Sequence, residues 1–262
     1  MSKTTVVLLH GWPGTCEDFY LVRDLLPKDI RVIAPDLTGF GKAFKGHLPI
    51  EEATAGAHAD RLLEFINSQN ITNPIIAGYD IGSRVAQTLA LKAPDQIGGI
   101  VITPAYAGIG NRSSASELQP IFWYQHFHRL EVSGDILDGN RSAITAYIEY
   151  IHTNWSYKKD FLTRDHFRKL IDYYARPDAF RASIAWYSAN QGYDGTDQIT
   201  VPATMLWPEQ DPLFPIEWSD RLSEFFTTAK LTTIPNCGHF VPLEAARIFA
   251  DAIVTQIEEF LI

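Results

Sequence analysis

The sequence predicts an α/β protein with a mostly parallel central sheet, helices on both faces of it, and a helical cap inserted into the chain. Short apolar runs typical of strands alternate with helical periodicity along the first hundred residues. Residues 78–82 (Gly-Tyr-Asp-Ile-Gly) form a tight turn between such a strand and a helix. From about Gly108 to Gln198 the strand signals disappear and aromatic residues accumulate. The strand signals return after residue 200, as expected if the region between is an insertion.

The elements of the first half follow each other in β-α order. Apolar runs closed by Gly or Pro predict the strands, at residues 5–9, 31–34, 73–77 and 97–103. Helical spacing predicts the helices, at residues 18–26, at 51–69, and from the turn at residue 80 to Pro94, which ends the run. This order implies parallel strands, because each helix returns the chain to the same edge of the sheet.

The second half contains the insertion and the end of the sheet. We interpret residues 108–198 as the cap (lid) domain and residues 1–107 and 199–262 as the core domain. Two more strands are predicted at residues 203–207 and 231–234. A last helix from Glu244 to Phe260 places Phe249, Ile253 and Ile257 on one face.

Composition limits the partners. The 262 residues have a formal net charge of −9, which argues against a nucleic acid partner, and 46% are hydrophobic, enough for a full-sized core. No apolar stretch approaches the length of a membrane span, and we expect no signal peptide before the first strand. Cys16 and Cys237 are too few for a disulfide framework and are expected to be reduced thiols. We expect a cytoplasmic monomer or homodimer.

Asp80 occupies the centre of the turn at residues 78–82, where the pattern Gly-x-nucleophile-x-Gly usually has serine. A serine there would attack acyl carbons. A carboxylate attacking an acyl carbon would give an unstable mixed anhydride, so it suits a saturated carbon that carries a leaving group. Asp80 is therefore the predicted nucleophile, and the open question is the leaving group.

A nucleophile in such a turn needs a base and a residue to orient that base. Asp211 follows the strand at 203–207 by four residues, and His239 lies between the strand at 231–234 and the last helix. Glu209 is the rival acid. We favour Asp211, because its shorter side chain and later position in the loop suit contact with His239.

The turn after the first strand, residues 10–14 (His-Gly-Trp-Pro-Gly), is a candidate oxyanion site. Its donors would be the backbone N–H groups of Trp12 and Ile81, facing the carbonyl oxygen of Asp80. A proline in so tight a turn makes a cis Trp12–Pro13 bond an expectation. Asp36, in a similar turn, is given no catalytic part.

Together these motifs resemble the epoxide hydrolases of the α/β-hydrolase fold, with dehalogenases as close cousins. The resemblance covers essentially the whole chain and rests on residues 10–13, 35–41, the Asp80 turn, Asp211 and residues 237–240. It implies a covalent ester on Asp80, hydrolysed by water that His239 activates, with a vicinal diol as product. It implies no metal and no organic cofactor.

In that family two cap tyrosines hydrogen-bond the epoxide oxygen. Residues 122–128 and 178–190 resemble the segments that supply them, and the matched residues are Tyr124 and Tyr187. A phenol can give a proton to a basic alkoxide and stays protonated at neutral pH. The aromatic cap implies a small apolar epoxide as substrate, with a pocket formed by Trp123, Trp186 and Phe240. The other tyrosines of this region are interpreted as packing residues: Tyr106, Tyr147, Tyr150, Tyr173 and Tyr174.

Two alternatives remain. A dehalogenase would use the same nucleophile, but haloalkane dehalogenases have tryptophan where this chain has Ile81. Fluoroacetate-type dehalogenases have two arginines after the nucleophile, of which this chain keeps only Arg84, and a His-Trp pair where it has Tyr124 and Gln125. The other alternative is a binding protein that has kept a hydrolase scaffold without its chemistry.

Overall fold

The computed structural model describes residues 4–193 and 195–260. Within them six parallel strands form one sheet in the order β2-β1-β3-β4-β5-β6. Their bounds are β1 Thr5–Leu9, β2 Arg31–Ile33, β3 Ile75–Tyr79, β4 Gly99–Thr103, β5 Ala203–Pro208 and β6 Ala229–Ile234. Because every strand runs the same way, all the carboxyl ends meet at one edge of the sheet.

The central strands are buried on both faces. Every residue of β1, β3, β4 and β5 is buried, whereas β2 and most of β6 are partly or fully exposed at the sheet edges. Continuous apolar strands of this kind are typical of a parallel sheet covered by helices on both sides. The predicted parallel architecture is therefore confirmed, with strand ends shifted by one or two residues.

The helices of the first half and the end of the chain cover this sheet. They are α1 Tyr20–Leu25, α2 Ala55–Ser68, α3 Ile81–Lys92 and α4 Tyr106–Ile109, and later α10 Leu222–Phe225, α11 Val241–Glu244 and α12 Ala246–Phe260. The predicted helix at 51–69 is divided, because Thr54 caps α2 by accepting a hydrogen bond from the amide of Ala57. The predicted last helix, Glu244 to Phe260, is α12, which begins two residues later, and a separate short helix, α11, precedes it.

Between β4 and β5 the described residues form helices and no strand of the sheet. These are α5 Trp123–Arg129, α6 Glu131–Leu137, α7 Arg141–Trp155, α8 Arg164–Tyr174 and α9 Ala179–Ala189. This agrees with the predicted loss of strand signals. The division into a core and a cap domain stays our proposal, and the term cap is kept for residues 108–198.

We also compared the described helices with the requirements of a membrane span. None of them combines the length and the apolar composition that a bilayer span requires.

Candidate active site

The turn between β3 and α3 forces Asp80 into a strained conformation. Its φ is 49° and its ψ is −124°, a region that residues with a Cβ rarely adopt. The flanking glycines are required by close packing. A Cβ on Gly78 would lie 2.7 Å from the carbonyl carbon of Gly82, and one on Gly82 would lie 2.2 Å from the carbonyl oxygen of Leu9. The helix start therefore rests directly on the end of β1, and the Asp80 carboxylate is held at the carboxyl edge of the sheet.

The Asp80 carboxylate is buried, and its two oxygens have different partners. Oδ1 accepts a hydrogen bond of 2.7 Å from the backbone N–H of Trp12. Oδ2 accepts one of 3.3 Å from the hydroxyl of Tyr106, and the Nε2 atom of His239 lies 3.4 Å from it. The carboxylate is thus fixed from opposite sides, with one oxygen in the predicted oxyanion turn and the other beside the histidine.

His239 and Asp211 are in direct contact. The Nδ1 atom of His239 lies 2.9 Å from Oδ2 of Asp211, whose Oδ1 accepts a hydrogen bond from the amide of Leu213. Glu209 is exposed, so the geometry favours Asp211 over it as the orienting acid. The Nε2 atom of His239 is buried and makes no hydrogen bond to the described residues. It is therefore available to a water molecule beside Asp80.

The charge state of His239 depends on Asp80. Burial is the largest single effect on the pKa of His239 and lowers it, but the charges of Asp211 and Asp80 and the hydrogen bond with Asp211 outweigh burial and raise this pKa to about 10. His239 is consequently an imidazolium at neutral pH while both carboxylates are charged. Loss of the charge on Asp80 lowers this pKa, so that neutral imidazole, the form that can accept a proton, becomes populated.

The two predicted cap tyrosines face the same cavity as Asp80. Tyr124 and Tyr187 line it, and their ring centroids are 5.7 Å apart at nearly a right angle. The indole of Trp12 stacks parallel to Tyr124 and edge-on to Tyr187, so one residue links both phenols to the oxyanion turn. Burial, with smaller contributions from Asp80 and neighbouring tyrosines, raises the pKa of both phenols well above 10. Both are therefore protonated hydrogen-bond donors.

The cavity has a volume of 40 Å³, and polar residues form much of its lining. Arg84, Ser113, Gln125 and Asn190 line it together with the tyrosines, Trp186 and Phe214. This mixed lining differs from the apolar pocket that the sequence predicts. Aromatic residues do accumulate in the cap, but many of them pack against one another rather than facing the space above Asp80.

Two of the three predicted pocket residues do not line this cavity. Trp123 is 36% exposed and packs on Phe127, Tyr147 and Tyr150 at the outside of the cap. Its neighbour Tyr124 faces inward, and successive residues of a helix point in directions about 100° apart. Phe240 is fully buried below the site against His152, Trp155 and Phe161. Only Trp186 of the three reaches the cavity.

Tyr106 corrects the interpretation of the remaining tyrosines. The sequence indicates only packing for it, yet its hydroxyl donates to Asp80 and its ring lines the cavity. Strand order contains a signal that could have identified it. Thr103 is the register partner of Tyr79, so a residue shortly after Thr103 emerges at the same edge as Asp80. An aromatic residue with a hydroxyl at that position was a candidate from topology alone.

Of the two predicted oxyanion donors, the amides of Trp12 and Ile81, only the first has a described contact with Asp80. The Trp12 amide contacts Oδ1 of Asp80, and the Trp12–Pro13 bond is cis, as predicted. Ile81 is the first residue of α3 and lines the cavity, and the role of its amide stays a proposal. Asp36 accepts hydrogen bonds from the backbone amides of Cys16 and Lys42, which is the structural role expected of it.

The described part of the chain offers neither a metal site nor a thiol that is ionised at neutral pH. No group of three or more His, Cys, Asp or Glu residues there could hold a metal ion. Cys16 and Cys237 are free thiols. Burial is the main cause that raises the pKa of Cys16 to about 12, and it also raises the pKa of Cys237. Neither thiol is therefore ionised at neutral pH, which makes both poor nucleophiles.

Known proteins resemble this chain over nearly its full length. It is 23% identical over 268 residues to a soluble epoxide hydrolase of Corynebacterium sp. (strain C12), covering 95% of this chain and 88% of that protein. It is 24% identical over 259 residues to a 2-hydroxy-6-oxo-6-(2'-aminophenyl)hexa-2,4-dienoic acid hydrolase of Metapseudomonas resinovorans, covering 95% and 82%. The solved structure of the epoxide hydrolase CorEH without ligand superposes with a TM-score of 0.86 at 20% identity, covering 98% of this chain and 92% of that one.

These relatives confirm the resemblance and the α/β-hydrolase fold that the motifs predict. They do not select a reaction, because relatives of nearly equal identity act on different substrates. Residues 6–252 also match the alpha/beta hydrolase family as a whole. The chain therefore belongs to the alpha/beta hydrolase family.

Proposed function

We propose that this protein is an epoxide hydrolase that opens its substrate to a vicinal diol through a covalent ester on Asp80. The observation that carries the proposal is one shared cavity, with a carboxylate in the strained nucleophile turn and the two phenols of Tyr124 and Tyr187 on its walls. A carboxylate attacks saturated carbon, and phenols supply the proton that an alkoxide leaving group requires. Serine-type acyl chemistry would need neither feature.

In the first step Asp80 attacks an epoxide carbon while Tyr124 and Tyr187 donate hydrogen bonds to the ring oxygen. One of these phenols passes its proton to the oxygen as the carbon–oxygen bond breaks. The charge of Asp80 contributes to the high pKa of both phenols. Since that charge disappears as the ester forms, each phenol becomes a stronger acid at the moment when the alkoxide needs a proton.

In the second step His239 takes a proton from a water molecule that attacks the carbonyl carbon of Asp80. The same loss of charge on Asp80 lowers the pKa of His239, because part of its upward shift comes from that carboxylate. Ester formation therefore lets the imidazolium release its proton to solvent, and the neutral imidazole that results takes the proton from water. Asp211 orients the imidazole, and the Trp12 amide, together with that of Ile81, stabilises the oxyanion.

Oxygen labelling tests the covalent route. A single turnover in ¹⁸O-water, followed by digestion and mass spectrometry, should place the heavy oxygen in the carboxylate of Asp80. The reason is that water attacks the enzyme ester and not the epoxide. Heavy oxygen found only in the diol would rule this mechanism out.

Replacement of the base should trap the intermediate. His239→Gln keeps a polar side chain but cannot accept the proton from water, so the ester should form and persist as a mass increase on Asp80. The panel of substrates consists of small aliphatic and aryl epoxides. Asp80→Ala should give neither product nor mass increase with any of them, and an active Asp80→Ala variant would contradict the assignment.

A dehalogenase of haloacids is the second candidate, and one observation favours it. Arg84 lines the cavity beside Asp80, where a cation could bind the carboxylate of a haloacid. Parallel assays of diol and halide release would separate the two activities. Halide release without turnover of any epoxide would replace the first proposal with the second.

A further inference from the structure

We propose that Tyr106 is a third catalytic tyrosine, which stabilises the Asp80 Oδ2 atom as the leaving oxygen when the ester is hydrolysed. The inference rests on the proposed function and extends it to a residue that precedes the cap in the sequence. It assigns Tyr106 to the second half of the reaction, whereas Tyr124 and Tyr187 serve the first. Its basis is the difference between the environments of the two carboxylate oxygens.

The environment of each oxygen determines its role. Oδ1 is held at 2.7 Å by the Trp12 amide, so it is the oxygen that becomes the carbonyl of the ester and later the oxyanion. Oδ2 remains to attack the epoxide. The groups beside Oδ2 are the Tyr106 hydroxyl, at 3.3 Å, and Nε2 of His239, at 3.4 Å. Tyr106 is therefore in contact with a reacting atom.

The chemistry of each step shows where a donor at Oδ2 matters. In ester formation a lone pair of Oδ2 forms the bond to carbon, the epoxide C–O bond breaks, and a cap phenol protonates the released oxygen. In hydrolysis water loses one proton to His239 and bonds to Cγ. The bond from Cγ to Oδ2 then breaks, and Oδ2 leaves with the electron pair and takes the proton from His239. The second proton of the water returns to the cap phenolate, so the cycle closes without Tyr106 losing its own proton.

A hydrogen bond to Oδ2 has opposite effects on these two steps. It stabilises the charged carboxylate and so makes Oδ2 a slightly weaker nucleophile in ester formation. In hydrolysis negative charge develops on Oδ2, and a donor already in place stabilises that transition state more than the neutral ester. Removal of the hydroxyl should therefore slow hydrolysis and leave ester formation unchanged or faster.

The surroundings of Tyr106 keep its hydroxyl a donor. Burial and the charge of Asp80 raise the pKa of this phenol well above 10, so it is protonated at any pH at which the enzyme would be assayed. Its ring packs edge-on against Phe214, which holds the hydroxyl in position. Phenylalanine would keep this packing and remove only the donor.

The test is Tyr106→Phe, followed by rapid quench and intact-protein mass spectrometry with the epoxide that the wild-type enzyme turns over fastest. We expect the rate constant of ester hydrolysis to fall about tenfold or more, as for the loss of a hydrogen bond to a charged group. The ester on Asp80 should accumulate. The ratio kcat/KM, which reports ester formation, should stay within about twofold of the wild-type value.

Tyr147→Phe is the matched control. It removes a hydroxyl that is bonded to Nε2 of His128 and does not contact Asp80. This variant should show no ester accumulation. If Tyr106→Phe instead lowers kcat/KM without accumulating ester, Tyr106 serves the first step or only packing, and the inference fails.

The proposed function can fail separately. If neither the wild type nor His239→Gln forms an ester with any epoxide of the panel, the proposed epoxide hydrolase function is wrong. The role proposed for Tyr106 is then wrong as well. If His239→Gln accumulates the ester but Tyr106→Phe behaves like Tyr147→Phe, only the role of Tyr106 is overturned.

Discussion

Single glycine residues determine the position of the proposed nucleophile, Asp80. A Cβ at position 82 would collide with the carbonyl oxygen of Leu9, a backbone atom of a buried strand, which cannot yield as a side chain can. The same turn contains Asp80 in its strained conformation. The residue at position 82 therefore affects both the stability of the fold and the position of the Asp80 carboxylate.

Gly82→Ala should impair both stability and activity. We expect the free energy of unfolding to fall by about 2–3 kcal/mol, as for overpacking in a core. Displacement of Asp80 by about 1 Å should lower kcat/KM about 100-fold. Urea denaturation and steady-state kinetics measure the two effects.

Gly56→Ala is the control for this substitution. Gly56 lies in the first turn of α2, where a Cβ would have no neighbour closer than 3.7 Å. Alanine should be neutral or slightly stabilising there, because it has the higher helix propensity. A Gly82→Ala variant as stable and as active as Gly56→Ala would contradict the packing argument.

At the level of elements, the loop that contains His239 is fastened to the end of cap helix α7. Glu244, buried at the end of α11, accepts hydrogen bonds from four backbone amides, those of Tyr157, Lys158, Gly238 and Phe240. The amide of His239 itself donates to the carbonyl oxygen of Trp155. One carboxylate thus joins the histidine loop to the cap, which the sequence pattern of a last helix did not indicate.

Glu244→Ala should lower the free energy of unfolding by about 3 kcal/mol, because it leaves several backbone donors without partners in a largely buried region. The exposed Glu258 on α12 offers the control, and Glu258→Ala should change stability by less than about 0.5 kcal/mol. Urea denaturation compares the two. Equal losses would show that the buried contacts of Glu244 contribute little.

At the scale of the whole molecule, buried histidines determine how stability depends on pH. Burial is the main cause that lowers the pKa of His58 to about 3 and of His152 to about 4, and it also lowers that of His128. In the unfolded chain each would titrate near 6.5. Below that pH the unfolded chain binds protons that the folded protein cannot, so acid favours unfolding.

We expect the free energy of unfolding to fall as the pH decreases from 6.5 towards 4, by up to about 1.4 kcal/mol per pH unit for each of these histidines. His58→Phe removes one of them. The stability of this variant relative to the wild type should therefore increase steadily over the same range, measured by urea denaturation at several pH values. Parallel curves for the two proteins would contradict this account of His58.

His239 acts in the opposite direction. Its pKa in the folded protein is about 10, above the unfolded value, so its contribution to stability is complete below pH 6.5 and is lost as the pH rises towards 10. The stability lost in His239→Gln should therefore be largest near pH 6.5 and shrink with rising pH. A loss that does not change between pH 6.5 and 10 would contradict the raised pKa.

The order of the elements and the residues at the ends of the strands could be predicted from the amino-acid pattern. Glycine, proline and apolar periodicity are local signals, and local sterics decide most of what they indicate. The turn at Asp80 is the clearest case, because strand, glycines and helix follow each other within a short segment. The positions of Asp211 and His239 after later strands followed from the parallel order, since such loops meet at one edge.

Which aromatic residues face Asp80 could not be predicted from the amino-acid pattern, because it depends on how the elements pack. Tyr106 lines the cavity and Trp123 and Phe240 do not, in contrast to the sequence-based interpretation, because the direction of a side chain depends on how its helix or loop is rotated against the neighbouring elements. The polar lining of the cavity, the pKa of His239 and the contacts of Glu244 likewise depend on residues distant in sequence. A one-dimensional pattern records which residues a chain has, whereas burial and charge at a site depend on what packing brings to it.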